Sequence, residues 1–280
     1  MQRTPTVMFS SPYERAEYFG REYNGEWKFE FNTGAAFDSN VAYDATGLND
    51  YHWDYETSLG YEWWVSKALG VVITPSMGME GSRFDKYREL DGDVLSAGLV
   101  LAILDKLPVD VEVGYLGGWG FSGGFGDQVL IQHDVSARFA KAIPLVSKAD
   151  GTGDEDGPML KWRLGGGHVF SDPSSDDQAH GDASLELSLP VDEQLSLVLG
   201  TGLSYLSYTD SSVGSREAWL FQAAAAIECR PLKHKDLFVA AGVGYTHRAD
   251  NDSSSDYDQW LVSLSIRFEW EHLGFNLFKN

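Results

Sequence analysis

Apolar residues occur at every second position along most of this 280-residue chain, in stretches separated by polar, glycine-rich connections. The last stretch has apolar side chains at every even position from Trp260 to Trp270, opposite Ser263, Ser265 and Arg267. Because side chains two positions apart lie on the same face of a β-strand, the pattern predicts strands with one apolar and one polar face. The chain is therefore expected to be all-β, with each strand separating two different surroundings.

Twelve stretches of this kind lie between residues 27 and 270, each about ten residues or longer, the length of a tilted membrane-crossing strand. The longest apolar run, residues 94–104, is interrupted by Ser96 and Gly98, so no transmembrane helix is expected. Two kinds of fold remain. A soluble sandwich or lipocalin-like barrel would bury the apolar faces, whereas a membrane barrel would turn them toward lipid.

The connections alternate in length. Longer ones, rich in Asp, Ser and Gly, cover residues 37–51, 80–93, 171–182, 208–216 and 248–256, and short turns cover 66–69, 104–108, 190–194 and 230–236. Two connections are exceptions. Residues 121–128 form a short connection on the side of the long loops, and residues 143–158 form a long connection on the side of the short turns. Transmembrane barrels sort their connections by side in this way, whereas a soluble sandwich has no reason to do so.

Aromatic residues cluster near the predicted strand ends, as the girdles at the two membrane interfaces require. The candidate girdle residues are Trp27, Trp53, Trp63, Trp119, Trp162, Trp219, Trp260 and Trp270. The polar faces carry mainly Gly, Ser and Ala, unlike the dense Lys and Glu of soluble surfaces. We therefore predict a transmembrane antiparallel up-and-down β-barrel over residues 27–280. Twelve strands are expected and fourteen are the alternative, with short periplasmic turns and longer acidic extracellular loops.

This pattern resembles the bacterial outer-membrane β-barrel superfamily in its porin-like sense, over roughly residues 27–270. Residues 34–43, GAAFDSNVAY, are similar to the first-strand exit of several export barrels. The resemblance implies a mature protein without its signal peptide in the outer membrane of a Gram-negative bacterium. It also implies contact with outer-membrane lipids and lipopolysaccharide, and insertion by the barrel-assembly machinery. One departure is that Lys279 and Asn280 follow Phe278, where such barrels often end on an aromatic residue.

If the apolar faces meet lipid, the opposite faces line a lumen, in which small residues leave room for water or a plug. The charged residues expected on this lining are Lys28, Glu30, Asp54, Glu56, Glu62, Asp110, Glu112, Asp134, Arg138, Lys161, Arg163, Glu186, Glu228, Arg267 and Glu269. Basic residues concentrate on the sixth and seventh strands, and acidic ones on the second and fifth. Such opposed charges orient polar solutes in a pore, or they pair simply to satisfy one another.

Residues 1–26 precede the barrel. Ser11 followed by Pro12 is typical of a helix start, so this extension is expected to be a short helix that plugs the lumen or docks at the periplasmic rim, or a disordered terminus. The net charge of −21 argues against a nucleic-acid partner. A single cysteine, Cys229, excludes an internal disulfide, and no metal site or cofactor is expected. The acidic loops could bind divalent cations, but a solvated loop explains their composition better.

The leading functional hypothesis is a porin-like channel for passive diffusion of small polar solutes, without catalysis. The alternative is a plugged barrel with a structural, assembly or export role and a periplasmic protein or polymer as partner. A second alternative is a lipid-modifying enzyme. His133 and His168 lie on apolar faces of neighbouring predicted strands, but neither is followed by a nucleophile motif such as G-x-S-x-G.

Overall fold

The computed structural model describes residues 25–41, 47–66, 68–104, 107–146, 157–172, 174, 177–208, 216–231, 237–251 and 255–271. The strands in this part of the chain are β1 (Gly25–Asp38), β2 (Asp50–Ser66), β3 (Val71–Phe84), β4 (Gly92–Ile103), β5 (Asp110–Ser122), β6 (Gln128–Pro144), β7 (Met159–Asp172), β8 (Gln178–Pro190), β9 (Leu195–Tyr208), β10 (Arg216–Cys229), β11 (Leu237–Asp250) and β12 (Tyr257–Glu271). A single turn of 3-10 helix, Arg88–Leu90, lies between β3 and β4. Within the described ranges, no helix is long and apolar enough to cross a membrane.

Each strand pairs antiparallel with the next, and β1 pairs with β12, so the twelve described strands form a closed barrel. Closure leaves no sheet edge with unpaired backbone groups, which is what a strand structure needs inside a membrane. The prediction of an up-and-down barrel is confirmed with twelve strands, and the fourteen-strand alternative is wrong. β1 begins at Gly25, two residues before the strand start expected at Trp27, and residues 1–24 of the expected extension lie outside the described residues.

The apolar face of each strand is the outward one. On β12, Trp260 is 54% exposed and Leu264 56%, while Ser263 and Ser265 between them are half-buried on the inside. The same alternation holds around the ring, as at Val113 on β5 and Leu185 on β8. A soluble barrel would show the reverse arrangement, with apolar side chains inside, so the lipocalin-like alternative is wrong.

The strands are 12 to 17 residues long and extend beyond the boundaries expected from the apolar pattern. At the end of the barrel that carries the β1–β2 and β3–β4 connections, β3 continues to Phe84 and β4 begins at Gly92. We call this the outer end, and the end that carries Gly25 the inner end. Asp93 shows what holds the extension together. Its buried carboxylate accepts hydrogen bonds from Arg83 Nη2 at 2.6 Å, from the Tyr55 hydroxyl and from the Phe125 amide at 3.0 Å.

Candidate functional site: the lumen of the barrel

The register of the strands places every predicted lumen residue on the inward face, opposite the exposed apolar side chains. Asp54, Glu56 and Asp134 lie in the outer half of their strands. The remaining predicted lining residues lie in the inner half: Lys28, Glu30, Glu62, Asp110, Glu112, Arg138, Lys161, Arg163, Glu186, Glu228, Arg267 and Glu269. The basic residues of β6 and β7 therefore lie in the inner half, whereas of the predicted acidic residues of β2 Asp54 and Glu56 lie in the outer half and Glu62 in the inner half.

In the inner half, charged side chains contact one another across neighbouring strands. Lys28 Nζ lies 2.9 Å from Glu62 Oε1, and Lys161 Nζ lies 3.7 Å from Glu186 Oε1. These pairs are partly exposed, so each contributes little to stability. Their main effect is to balance charge around the inner half of the lumen.

Arg267 on β12 joins two carboxylates of this inner layer. Its Nη2 lies 3.1 Å from Glu228 Oε2 and its Nε 2.8 Å from Glu269 Oε1. The guanidinium also lies over the Phe238 ring, with the central carbon 4.6 Å from the ring centroid. A guanidinium held by two carboxylates and an aromatic face is fixed in position, so Arg267 is a permanent part of the wall near the β1–β12 closure.

A second cluster of polar side chains, from β6 and β8, meets over two glycines of β7, Gly165 and Gly167. Arg138 on β6 and Asp182 on β8 lie opposite each other across Gly165, and a Cβ there would be 2.8 Å from Asp182 Oδ1 and 3.2 Å from Arg138 Cγ. At the next inward position of β8 toward the outer end, His180 Nε2 lies 3.2 Å from Asp134 Oδ1. This contact joins β8 to β6. The glycines of β7 thus leave the space in which side chains from both neighbouring strands meet.

The outer half of the lumen is acidic. Glu56 on β2 lies directly opposite Glu80 on β3, and Asp54 follows two residues further out. Asp54 Oδ2 lies 2.9 Å from His52 Nε2. The Lys and Arg side chains that the described strands place inward in this half are Arg216 and Arg248, and both contact Asp250. The wall formed by β2 and β3 therefore presents carboxylates to the lumen.

Part of the outer end is filled by inward side chains of β9–β12, β1 and β2, which we call the outer cap. It consists of Leu206, Tyr208, Arg216, Ala218, Leu220, Arg248, Asp250, Tyr257, Gln259, Asp38, Asp50 and His52. At its centre, Asp250 Oδ2 accepts hydrogen bonds from Arg216 Nε at 2.8 Å and Arg248 Nη2 at 3.0 Å. Arg248 is 3% exposed and the Asp250 side chain is fully buried, so the pair is desolvated.

The outer cap continues across the β12–β1 closure. Gln259 Nε2 donates to Asp38 Oδ2 at 2.6 Å, and Asp38 Oδ1 accepts from the Asn40 amide at 2.7 Å. Asp50 Oδ2 accepts from the backbone amides of Lys86 and Tyr87 at 2.8 and 3.0 Å. This last contact ties the β3–β4 connection to the cap. None of these cap residues was among the predicted lining residues, and the polar ones Asp38, Asp50 and Asp250 were indistinguishable from loop residues in the sequence.

The middle of the lumen remains accessible. Leu116 on β5 faces inward and is nevertheless 36% exposed, and inward Glu80 on β3 is also exposed. The inward positions beside them are small, as at Ser96, Gly98 and Gly118. Small residues on the inward face leave a cross-section that large side chains would otherwise fill.

The predicted girdle residues lie near the strand ends, and the seven other than Trp270, whose side chain is not described, lie on the outward face. Trp53, Trp119, Trp219 and Trp260 lie toward the outer end, and Trp27, Trp63, Trp162 and Trp270 toward the inner end. Several belong to aromatic pairs, such as Tyr205–Trp219 with ring centroids 4.9 Å apart.

His133 and His168 lie on the outward face of β6 and β7, as the sequence indicated. His133 Nδ1 is 2.7 Å from the Tyr115 hydroxyl, and the His168 ring packs on Phe170 with centroids 4.4 Å apart. Both histidines thus contact aromatic side chains on the outward face, as residues at a membrane interface commonly do. Among the described residues, no group of three or more His, Cys, Asp or Glu side chains is arranged to hold a metal ion. The helix start expected at Ser11 lies outside the described residues.

No protein-family model and no curated protein matches the sequence. Solved structures do match. An outer-membrane channel from Pseudomonas putida F1 superposes with a TM-score of 0.55 at 11% identity, covering 92% of this chain and 99% of that one. The β domain of the Bordetella autotransporter BrkA gives 0.49 at 11% identity, covering 88% and 100%. The KdgM porin in complex with disordered oligogalacturonate gives 0.45 at 8% identity, covering 85% and 98%. Of these three structures, the Pseudomonas channel has a TM-score above 0.5, and with it the chain shares a closed β-barrel fold.

Proposed function

We propose that this protein is a porin-like channel of the bacterial outer membrane, through which small polar solutes diffuse passively. The observation that carries the proposal is an apolar exterior enclosing a polar interior in which inward side chains are accessible, at Leu116 in the middle of β5 and at Glu80 in the outer half of β3. A barrel that served only as an anchor would have no need of a hydrated interior. Diffusion requires no catalytic group, so the protein is proposed not to be an enzyme and to need no cofactor.

The charge of the lumen supports a preference for cations. In the inner layer, cross-strand ion pairs neutralise part of the acidic charge, whereas the outer half carries Asp54, Glu56 and Glu80 on one wall. A ring or wall of carboxylates in a narrow aqueous passage raises the local concentration of cations and lowers that of anions. Small cationic or neutral solutes are therefore expected to pass faster than anions of the same size.

The alternative is a barrel whose lumen is closed and whose role is structural, in assembly or in export, with a periplasmic protein or polymer as partner. The outer cap is the observation that favours it, because buried, hydrogen-bonded side chains occupy part of the outer end. In either case we propose that the aromatic girdles contact outer-membrane lipids and lipopolysaccharide, and that the barrel-assembly machinery inserts the chain.

Conductance in planar lipid bilayers separates the two functions. The full-length protein, shown to be folded by its heat-modifiable mobility on a gel, is expected to give stepwise conductance and a reversal potential on the cation-selective side in a KCl gradient. Folded protein that gives no conductance steps would contradict the channel and support the closed barrel. Conductance with anion selectivity would support the channel and would contradict only the proposal that the wall of Asp54, Glu56 and Glu80 makes it prefer cations.

A further inference from the structure

The outer end of the lumen is packed on one side and accessible on the other. Over β9–β12, β1 and β2, inward residues such as Ala218, Leu220 and Asp38 are buried, Ala218 completely. Over β3–β8, the inward side chains near the outer end, such as Ser82 and Gln132, are partly exposed, and the buried inward positions there are the glycines Gly92 and Gly120. Because the strands form one closed ring, this difference is an asymmetry around the mouth of the barrel.

The packed side is held by contacts that resist opening. Asp250 accepts from two arginines, and Arg248 Nη2 also lies 3.3 Å from the Tyr208 hydroxyl. Removing one partner from a buried, hydrogen-bonded ion pair leaves a charge without compensation, which costs several kcal/mol. Solutes therefore have no low-energy route through this side.

We infer that the permeation path leaves the barrel off its axis, along the outer ends of β3–β8, and that the Arg248–Asp250 pair sets the width of the mouth by holding the opposite side closed. The inference rests on the proposed channel function. Solutes that use this route pass Gln132 and then the Asp134–His180 pair, whose contact is 3.2 Å. These side chains line the mouth, so solute size and charge are selected there as well as at the wall of Glu56 and Glu80.

Cysteine accessibility tests the inference. In a Cys229→Ser background, which removes the chain's single thiol, Gln132→Cys places a thiol on the accessible side and Ala218→Cys places one on the packed side. Both positions are inward and near the outer end, so they form a matched pair. A charged, membrane-impermeant methanethiosulfonate is added to the outer side of folded protein in planar bilayers. Labelling of the same variants in liposomes is followed by mass spectrometry.

The expected result is fast labelling of Gln132→Cys with loss of conductance, and slow labelling of Ala218→Cys with conductance unchanged. Equal labelling of the two thiols, or labelling of Gln132→Cys without loss of conductance, would overturn the off-axis path. If the unmodified protein does not conduct at all, the channel function itself fails, and the path fails with it.

A second variant tests the role of the ion pair. Replacing both members, Arg248→Ala with Asp250→Ala, is expected to raise the single-channel conductance and to make Ala218→Cys reactive. Unchanged conductance and reactivity in the folded double variant would show that the pair does not set the width of the mouth. If this variant fails to fold, the single-cysteine comparison still decides where the path lies.

Discussion

Gly167 on β7 illustrates how one residue without a Cβ shapes the interior. A Cβ at this position would lie 2.8 Å from His180 Nε2 and 2.8 Å from Ser136 Cβ, and closer still to the backbone oxygen of Val135. The histidine uses this space to reach Asp134 on the far side of β7. The sequence predicted a small residue on the inward face here, but a contact between side chains of β6 and β8 depends on distances that no alternation pattern contains.

Gly167→Ala is therefore expected to destabilise the barrel by about 1–3 kcal/mol, the usual cost of overpacking, because the nearest obstacle is backbone. Gly202→Ala on β9 is the control, since the nearest atom to a Cβ there is the Ala183 oxygen at 3.7 Å. The measurement is the urea midpoint at which the heat-modifiable folded band disappears. Equal midpoints for the two variants would show that the space at Gly167 can expand without cost.

The strands as elements were predictable in number and in orientation, because alternation follows from the pleat itself. Their ends were not. Asp50, Arg83, Asp93 and Asp250 all lie in the described strands, although their surroundings in the sequence are as polar as a loop. Strand pairing continues there because these side chains find partners on nearby strands or connections, and partners that are distant in the sequence are not visible from the sequence alone. The polar residues of the outer cap were missed for this reason.

Asp93 is expected to hold three elements together at the outer end. Asp93→Asn removes the charge that binds Arg83 and weakens the bonds from Tyr55 and the Phe125 amide, so a loss of about 2 kcal/mol is expected, reduced because Arg83 is partly exposed. The connection at residues 123–127 should also become more sensitive to protease, because its anchor at Phe125 is weakened. Urea unfolding and limited proteolysis of folded protein measure the two effects.

Asp258→Asn provides the comparison for Asp93→Asn. Asp258 also accepts from a tyrosine hydroxyl and lies 2.9 Å from His247 Nδ1, but its side chain is 64% exposed. Because water compensates for an exposed carboxylate, the change should stay within about 0.5 kcal/mol. If both variants lost the same stability, burial would not be what makes Asp93 important.

In the molecule as a whole, the charged side chains of the lumen lie in layers at different positions along the barrel axis. Ion pairs occupy the inner layer around Lys28 and Arg267, and the Arg248–Asp250 pair belongs to the outer cap. Asp54, Glu56 and Glu80 lie between these two layers. The sequence indicated which residues face inward, since that follows from alternation. It could not give their height, because height depends on strand ends and on how far each strand is shifted along its neighbour.

The carboxylate wall is expected to determine ion selectivity. Glu56→Gln with Glu80→Gln removes two charges that lie opposite each other on neighbouring strands and keeps the size and shape of both side chains. The reversal potential in a KCl gradient should then move toward zero, and the difference from the unmodified channel should shrink at high salt, because mobile ions screen the wall. Glu217→Gln, on the outward face of β10, changes a carboxylate outside the lumen and should leave the reversal potential unchanged. A double variant with unaltered selectivity, or a control with an equal shift, would mean that the cation preference arises from the net charge of the protein and not from this wall.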